Sequence, residues 1–252
     1  MLFTEFGLKE NPPMLLLHGM MQDWHSEYEM LKGLERNYRL IIPAQDGFYD
    51  GSGDFTSFAD QARQIEEYIQ VNYEGKVRGA YGCSQGGLML TELLTRNKIN
   101  LGTVIMDGCY VAHQGKLSGW VTYKMFCKFK NTGKFPALIM VMMKLMGLKA
   151  EDLGMMDSLY MKASDETVKR NFMENYTYRT RPEIAQNKTM VHMWCGSKEP
   201  YAIKSYKELK KYLKNYKEEI MDGLGHGEFL MKHSKECCEK IHKLIQVTQF
   251  DL

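Results

Sequence analysis

The 252-residue chain has no apolar run approaching the ~20 residues that a bilayer-spanning helix needs. Its opening residues, Met1-Leu2-Phe3-Thr4-Glu5-Phe6, carry neither the basic start nor the apolar core of a secretory signal. The expectation is a soluble, cytoplasmic protein. Charge excess is also missing: 33 Lys and Arg stand against 31 Asp and Glu, a net +2. With no zinc-finger or RNA-binding signature either, nothing points to a nucleic-acid partner. The six cysteines form no Cys-x-x-Cys pair, and adjacent Cys237 and Cys238 are poorly placed to bond each other. That usage fits a reducing compartment. Cys83, Cys109 and Cys195 fall at or just past predicted strand ends, where they read as small buried hydrophobes. The Asp46–Asp54 stretch begins like a calcium loop but has Phe48 at position three and Ser57 at position twelve. Internal repeats and low-complexity tracts are absent.

What remains is a globular composition, 44% hydrophobic and 25% charged, long enough for one domain or one domain with an insertion. Strand-like and helix-like segments alternate, which predicts a doubly wound, mostly parallel sheet. Tyr28, Leu31 and Leu34 share one face of a helix over 26–36, and Phe58, Ala62, Ile65 and Ile69 one face of the next. Ser57 with Asp60 has the form of a capping box there. Ile203, Tyr206, Leu209 and Leu213 keep helical spacing, as do Leu230, Cys237, Ile241 and Leu244 in a long final helix.

Within this alternation, Gly82-Cys83-Ser84-Gln85-Gly86-Gly87 lies between the strand-like Val77–Tyr81 and the helix former Leu88–Leu94. A G-x-S-x-G between a strand and a helix is a nucleophile elbow, a tight turn that lifts a serine clear of the sheet. A chance glycine-rich turn is the bland alternative. Serine is a weak nucleophile at neutral pH and needs a base, which in turn needs an orienter. Of seven histidines, His226 alone sits on a glycine loop, Gly223-Leu224-Gly225-His226-Gly227, after a strand. His25, His233 and His242 read as helical surface groups, and His192 as core. For the acid, Glu199 follows the strand-like Met190–Cys195 and is the leading candidate. Asp107, at the end of Thr103–Met106, is the alternative acid, with a cap or turn role as its bland reading. Asp222 lies too close to His226 along the loop to be favoured.

The order Ser84, Glu199, His226 is that of the α/β-hydrolase superfamily, which the chain resembles over nearly its whole length. Leu15-Leu16-Leu17-His18-Gly19 is similar to the family's strand and His-Gly turn, and Asp46-Gly47 with Gly51-Ser52-Gly53 to its glycine-rich loop. The resemblance implies an α/β-hydrolase fold with a helical cap inserted after the sixth strand. It gives a core of 1–110 and 189–252 and a cap of 111–188. It also implies an oxyanion hole from the N–H groups of Met20 and Gln85. The chain departs from the pattern in using Glu where most members have Asp, and in having room for one strand rather than two before Pro12-Pro13.

Between Gly108 and Ala150 there are seven lysines and no acid. The run Phe135–Met146 in that span is almost wholly apolar. It reads either as a helix packed on the core or as an acyl pocket lined by Met140, Met143 and Met146 beneath a basic rim. The expected activity is therefore that of a serine hydrolase on a small acyl substrate, a carboxylic ester first, with no cofactor or metal. Thioester, amide or peptide and C–C bond hydrolysis run on the same three residues. A non-catalytic ligand-binding protein is the rival of another class, against which the intact Ser84 and His226 count.

Overall fold

The central strands come from short apolar runs bounded by polar or glycine residues, the pattern of a sheet buried on both faces, whereas the edge segment Tyr216–Met221 is charged and largely exposed. The structure is a computed structural model and describes residues 1–20, 22–132, 141 and 162–247. In chain order the strands are β1 (Leu2–Phe6), β2 (Pro13–Leu17), β3 (Arg39–Ala44), β4 (Gly79–Cys83), β5 (Thr103–Asp107), β6 (Met190–Gly196) and β7 (Tyr216–Met221). They form one sheet in the order β1-β3-β2-β4-β5-β6-β7, with only β1 antiparallel to its neighbour. The helices are α1 (Trp24–Leu31), α2 (Phe58–Tyr73), α3 (Gln85–Arg96), α4 (Lys116–Thr132), α5 (Asp165–Thr177), α6 (Pro200–Leu209), α7 (Glu228–Lys232) and α8 (Ser234–Val247).

The two-residue period of a strand divides the interior into two cores. Leu15 and Leu17 of β2, Val104 and Met106 of β5, and Val191 and Met193 of β6 face the first, with α2, α3 and α6. Met14, Leu16, Ile105 and Trp194 face the second, where α1 and α8 contribute Leu31, Cys237, Ile241 and Ile245. Leu15, Leu16 and Leu17 are at most 4% exposed. Burial of each contributes roughly 1.5–3 kcal/mol.

Several element boundaries differ from the sequence reading. The helix expected over 26–36 is α1 followed by a 3-10 turn, Lys32–Arg36. Ser57 caps α2 by accepting the Asp60 N–H, but the Asp60 carboxylate is taken up by Thr56, Gln64 and Arg63 rather than closing a capping box. The long final helix is two, because His233 leaves the helical region at φ −126°, ψ 36° and Ser234 begins α8. The apolar spacing runs on across this break, so periodicity does not register it.

The segment expected to form a cap leaves the sheet after β5. In this chain's own order that is the fifth strand. Its described parts include α4 and α5, which pack together with Phe126 against Phe172. Among the described residues, no helix is long and apolar enough to cross a membrane.

Candidate active site

Ser84 joins β4 to α3 with φ 53° and ψ −113°, a conformation that costs a side-chain-bearing residue about 1–3 kcal/mol. Close packing holds it there. A Cβ on Gly82 would strike the Gly86 backbone, and one on Gly86 would overlap the Leu17 carbonyl. The Ser84 N–H donates to the Asp107 carbonyl at 2.8 Å, tying the turn to the end of β5.

The loop carrying His226 is held against the end of β6. Ser197 N–H donates to the Met221 carbonyl at 2.9 Å and Lys198 N–H to the Leu224 carbonyl at 3.1 Å. His226 thereby reaches across the sheet, with Nε2 3.0 Å from Ser84 Oγ and Nδ1 2.6 Å from Glu199 Oε2. Glu199 is 1% exposed, and its Oε1 accepts the Gly196 N–H at 2.6 Å. A carboxylate at Nδ1 assigns the ring proton to that nitrogen and leaves the Nε2 lone pair facing the serine hydroxyl. The structure brings Ser84, His226 and Glu199 together.

Asp107 is not part of this chain of bonds. Its side chain lies in the second core and accepts from the Tyr81 hydroxyl at 2.9 Å. Among the described residues it makes no hydrogen bond to His226. Burial, reinforced by the nearby Glu199 charge, pushes its pKa up to about 7. The next residue bears on why Glu199, and not Asp107, lies against His226. Gly108 has φ +60°, and a Cβ there would come within 2.7 Å of Glu199 Oε2 and 3.0 Å of His226 Nδ1. The chain can pass under Glu199 and His226 only as glycine. Asp222 is on the surface, accepting from Ser197 Oγ at 3.2 Å.

The His18-Gly19 turn runs beside the serine: a Cβ on Gly19 would lie 3.5 Å from Ser84 Cβ. Gly19 N–H is taken by Gln22 Oε1 at 3.0 Å. Among the described residues, no protein acceptor takes the N–H of Met20 or Gln85. His18 is buried, its Nδ1 lies 3.0 Å from the Gly19 carbonyl, and burial pushes its pKa down, so the ring is neutral. His192 is likewise a core residue, pushed down to about 4 by burial and Lys217. His25, by contrast, lies 2.5 Å from the Asp23 carboxylate at the start of α1. Burial raises the thiols of Cys83, Cys109 and Cys195, leaving them protonated.

Two features of the site carry no mark in the sequence. The Tyr110 ring stacks on the His226 imidazole, centroids 4.8 Å apart and planes 19° from parallel, with its hydroxyl 3.1 Å from Nδ1. Gln85 is joined through its side-chain amide to Gln45 and Asn175. Both contacts cross from one element to another, so no local spacing announces them. The candidate pocket residues Met140, Met143 and Met146 lie outside the described residues. Of the lysines around them, Lys130 pairs with Asp165 at 3.1 Å, and Lys124 sits over the rings of Tyr123 and Trp120 at 5.2 and 5.8 Å. Among the described residues, no group of three or more His, Cys, Asp or Glu side chains is arranged to hold a metal ion.

The arrangement of sheet, elbow and loops is that of the α/β-hydrolase fold. No family model and no curated protein sequence matches the chain. Solved structures do. An alpha/beta hydrolase family protein from Desulfitobacterium hafniense superimposes with a TM-score of 0.82 at 20% identity, over 96% of this chain and 99% of that one. MenH from S. aureus gives 0.77 at 13% identity, over 98% of each chain. An esterase from Exiguobacterium antarcticum also gives 0.77, at 17% identity over 97% of this chain and 94% of that one. At such identities the likeness is one of fold.

Proposed function

We propose that this protein is a serine hydrolase that cleaves a carboxylic ester through an acyl-enzyme. One observation carries the reading: a single imidazole lies 3.0 Å from a strained, elbow-borne serine hydroxyl on one side and 2.6 Å from a buried glutamate on the other. The α/β-hydrolase fold supports many chemistries, so the side chains and not the fold bear the argument. The esterase among its structural neighbours agrees with the same choice.

In this reading Ser84 Oγ attacks the ester carbonyl as its proton passes to His226 Nε2. Glu199 holds the imidazole in the required tautomer and balances the charge it gains. The carbonyl oxygen, now an oxyanion, accepts hydrogen bonds from the Met20 and Gln85 N–H groups, and the N-terminus of α3 favours its charge. His226 then gives the proton to the departing alkoxide. In the second half it takes a proton from water as the water oxygen attacks the acyl carbon, and then returns that proton to the departing Ser84 Oγ, releasing the acid. Tyr110 keeps the ring from rotating between the two transfers.

The test is a fluorophosphonate probe together with chromogenic esters of increasing acyl length. The wild-type protein should label at one site and hydrolyse at least part of the series. Ser84→Ala should lose both while keeping its circular dichroism and thermal midpoint. Ester turnover persisting in that variant at the wild-type rate would sink the assignment.

A further inference from the structure

Four buried amide side chains meet beside the nucleophile turn. Gln85 Nε2 donates to Gln45 Oε1 at 2.9 Å, and Gln85 Oε1 accepts from Asn175 Nδ2 at 3.2 Å. Asn175 Nδ2 also donates to the Asn171 carbonyl at 2.8 Å and lies 3.3 Å from Asn171 Oδ1. Gln45 follows β3, Gln85 opens α3, and Asn171 and Asn175 stand one turn apart on α5. None of the four is more than 9% exposed.

Packing alone does not call for amides here, since apolar side chains of the same size would fill the space without polar groups to satisfy. What amides add is direction. The peptide plane between Ser84 and Gln85 is set by Ser84 ψ, at −113°, and by the φ of Gln85. That plane carries the Gln85 N–H. Gly82 and Gly86 confine the turn by close contact, but they do not restrain residue 85 from its side-chain end. Hydrogen bonds to both ends of the Gln85 amide do.

The outer anchor of this clamp is itself fixed. Thr167 Oγ1 on α5 accepts the Phe55 N–H at 3.1 Å and donates to Asp54 Oδ1 at 3.0 Å. Glu174 Oε2 accepts the Phe58 N–H at 3.1 Å. These bonds fasten α5 to the loop before α2 and to the first residue of α2, so α5 is a fixed reference for the groups it holds.

We propose that Asn175 and Gln45 are positioning residues for the Gln85 N–H, and that α5 therefore helps to build the oxyanion site rather than only covering it. The inference rests on the esterase reading above. It predicts a loss that appears only where negative charge develops on the substrate oxygen.

The experiment uses the full chain with Asn175→Leu and, separately, Gln45→Met, each replacing one amide by an apolar side chain of similar shape. Ester kinetics are measured alongside inhibition by an aryl trifluoromethyl ketone. Ser84 Oγ adds to the carbonyl carbon of that ketone, its proton moves to His226, and the former carbonyl oxygen becomes an oxyanion. Outright loss of one oxyanion donor lowers kcat by about 10²–10³, so displacing it should lower kcat about 30-fold. KM should stay within about threefold of wild type, and the ketone inhibition constant should rise in step with the fall in kcat. A purely structural role would lower the thermal midpoint and leave kcat and ketone affinity of the folded protein unchanged. That outcome in either folded variant overturns the proposal. The two substitutions lie on different elements, so if one fails to fold the other decides. A wild-type protein that neither hydrolyses esters nor takes the fluorophosphonate would instead overturn the esterase reading itself.

Discussion

Glu27 sits on α1 with its carboxyl sealed in the second core, 0% exposed and, among the described residues, with neither oxygen hydrogen-bonded. Among the described residues, the ionisable groups that it influences or that influence it are Asp107, Tyr81, Cys83 and Cys237, none of them a cation. Burial first, and the Asp107 carboxyl second, push its pKa up from 4.5 to about 8. The sign follows from linkage. As pH rises above the unfolded value near 4.5, the unfolded chain gives up this proton while the native chain keeps it, so native stability falls. The loss is complete once pH passes the folded value near 8. It then amounts to on the order of 4 kcal/mol, a large part of a typical domain's stability.

Glu27→Gln replaces the neutral acid by an amide of the same shape that cannot ionise. At pH 5 the variant should match wild type within about 1 kcal/mol, since both side chains are then uncharged in the folded state. By pH 9 it should be the more stable protein by on the order of 4 kcal/mol. For a slope of about 2–3 kcal/mol per molar urea, that is a midpoint higher by roughly 1.5 M. Equilibrium urea unfolding at pH 5, 7 and 9 measures it. Asp107, raised to about 7, contributes a remaining slope that Glu27→Gln with Asp107→Asn should flatten further. Parallel stability curves for wild type and Glu27→Gln across this range would refute the reasoning.

Glu199→Gln should lower kcat by several orders of magnitude with little change in KM, because the imidazolium loses its counter-charge; Asp107→Asn should stay within about threefold, and reversed results would transfer the orienting role to Asp107. Gly108→Ala places a methyl where Glu199 Oε2 and His226 Nδ1 lie 2.7 and 3.0 Å away, so initial-rate kinetics should show kcat down about 100-fold in a protein that still folds. Tyr110→Phe keeps the stack on His226 but loses the second acceptor at Nδ1, which should lower kcat by about 2–10-fold, and Tyr110→Ala should lower it further.

The elbow was legible because its chemistry is local. Glycines on either side of Ser84, a strand before and a helix after are all properties of one continuous stretch, and the backbone there follows from near-neighbour sterics. The His226 loop was legible for the same reason. Apolar periodicity likewise marked the strands and predicted the doubly wound sheet. Choosing between Glu199 and Asp107 was beyond local reasoning, as both are acids at the ends of adjacent strands. The close pass of Gly108 beneath Glu199 and His226, and the turning of Asp107 to Tyr81, depend on the pairing of β5 with β6. Tyr110 over the imidazole, Asn175 on Gln85 and the buried Glu27 carboxyl near Asp107 are of the same kind. Each joins residues far apart in the chain, and the contact exists only once the sheet order has packed α1, α5 and the strand ends around one serine. Local sterics write turns into a sequence, whereas partners across the fold are selected by the burial of the whole.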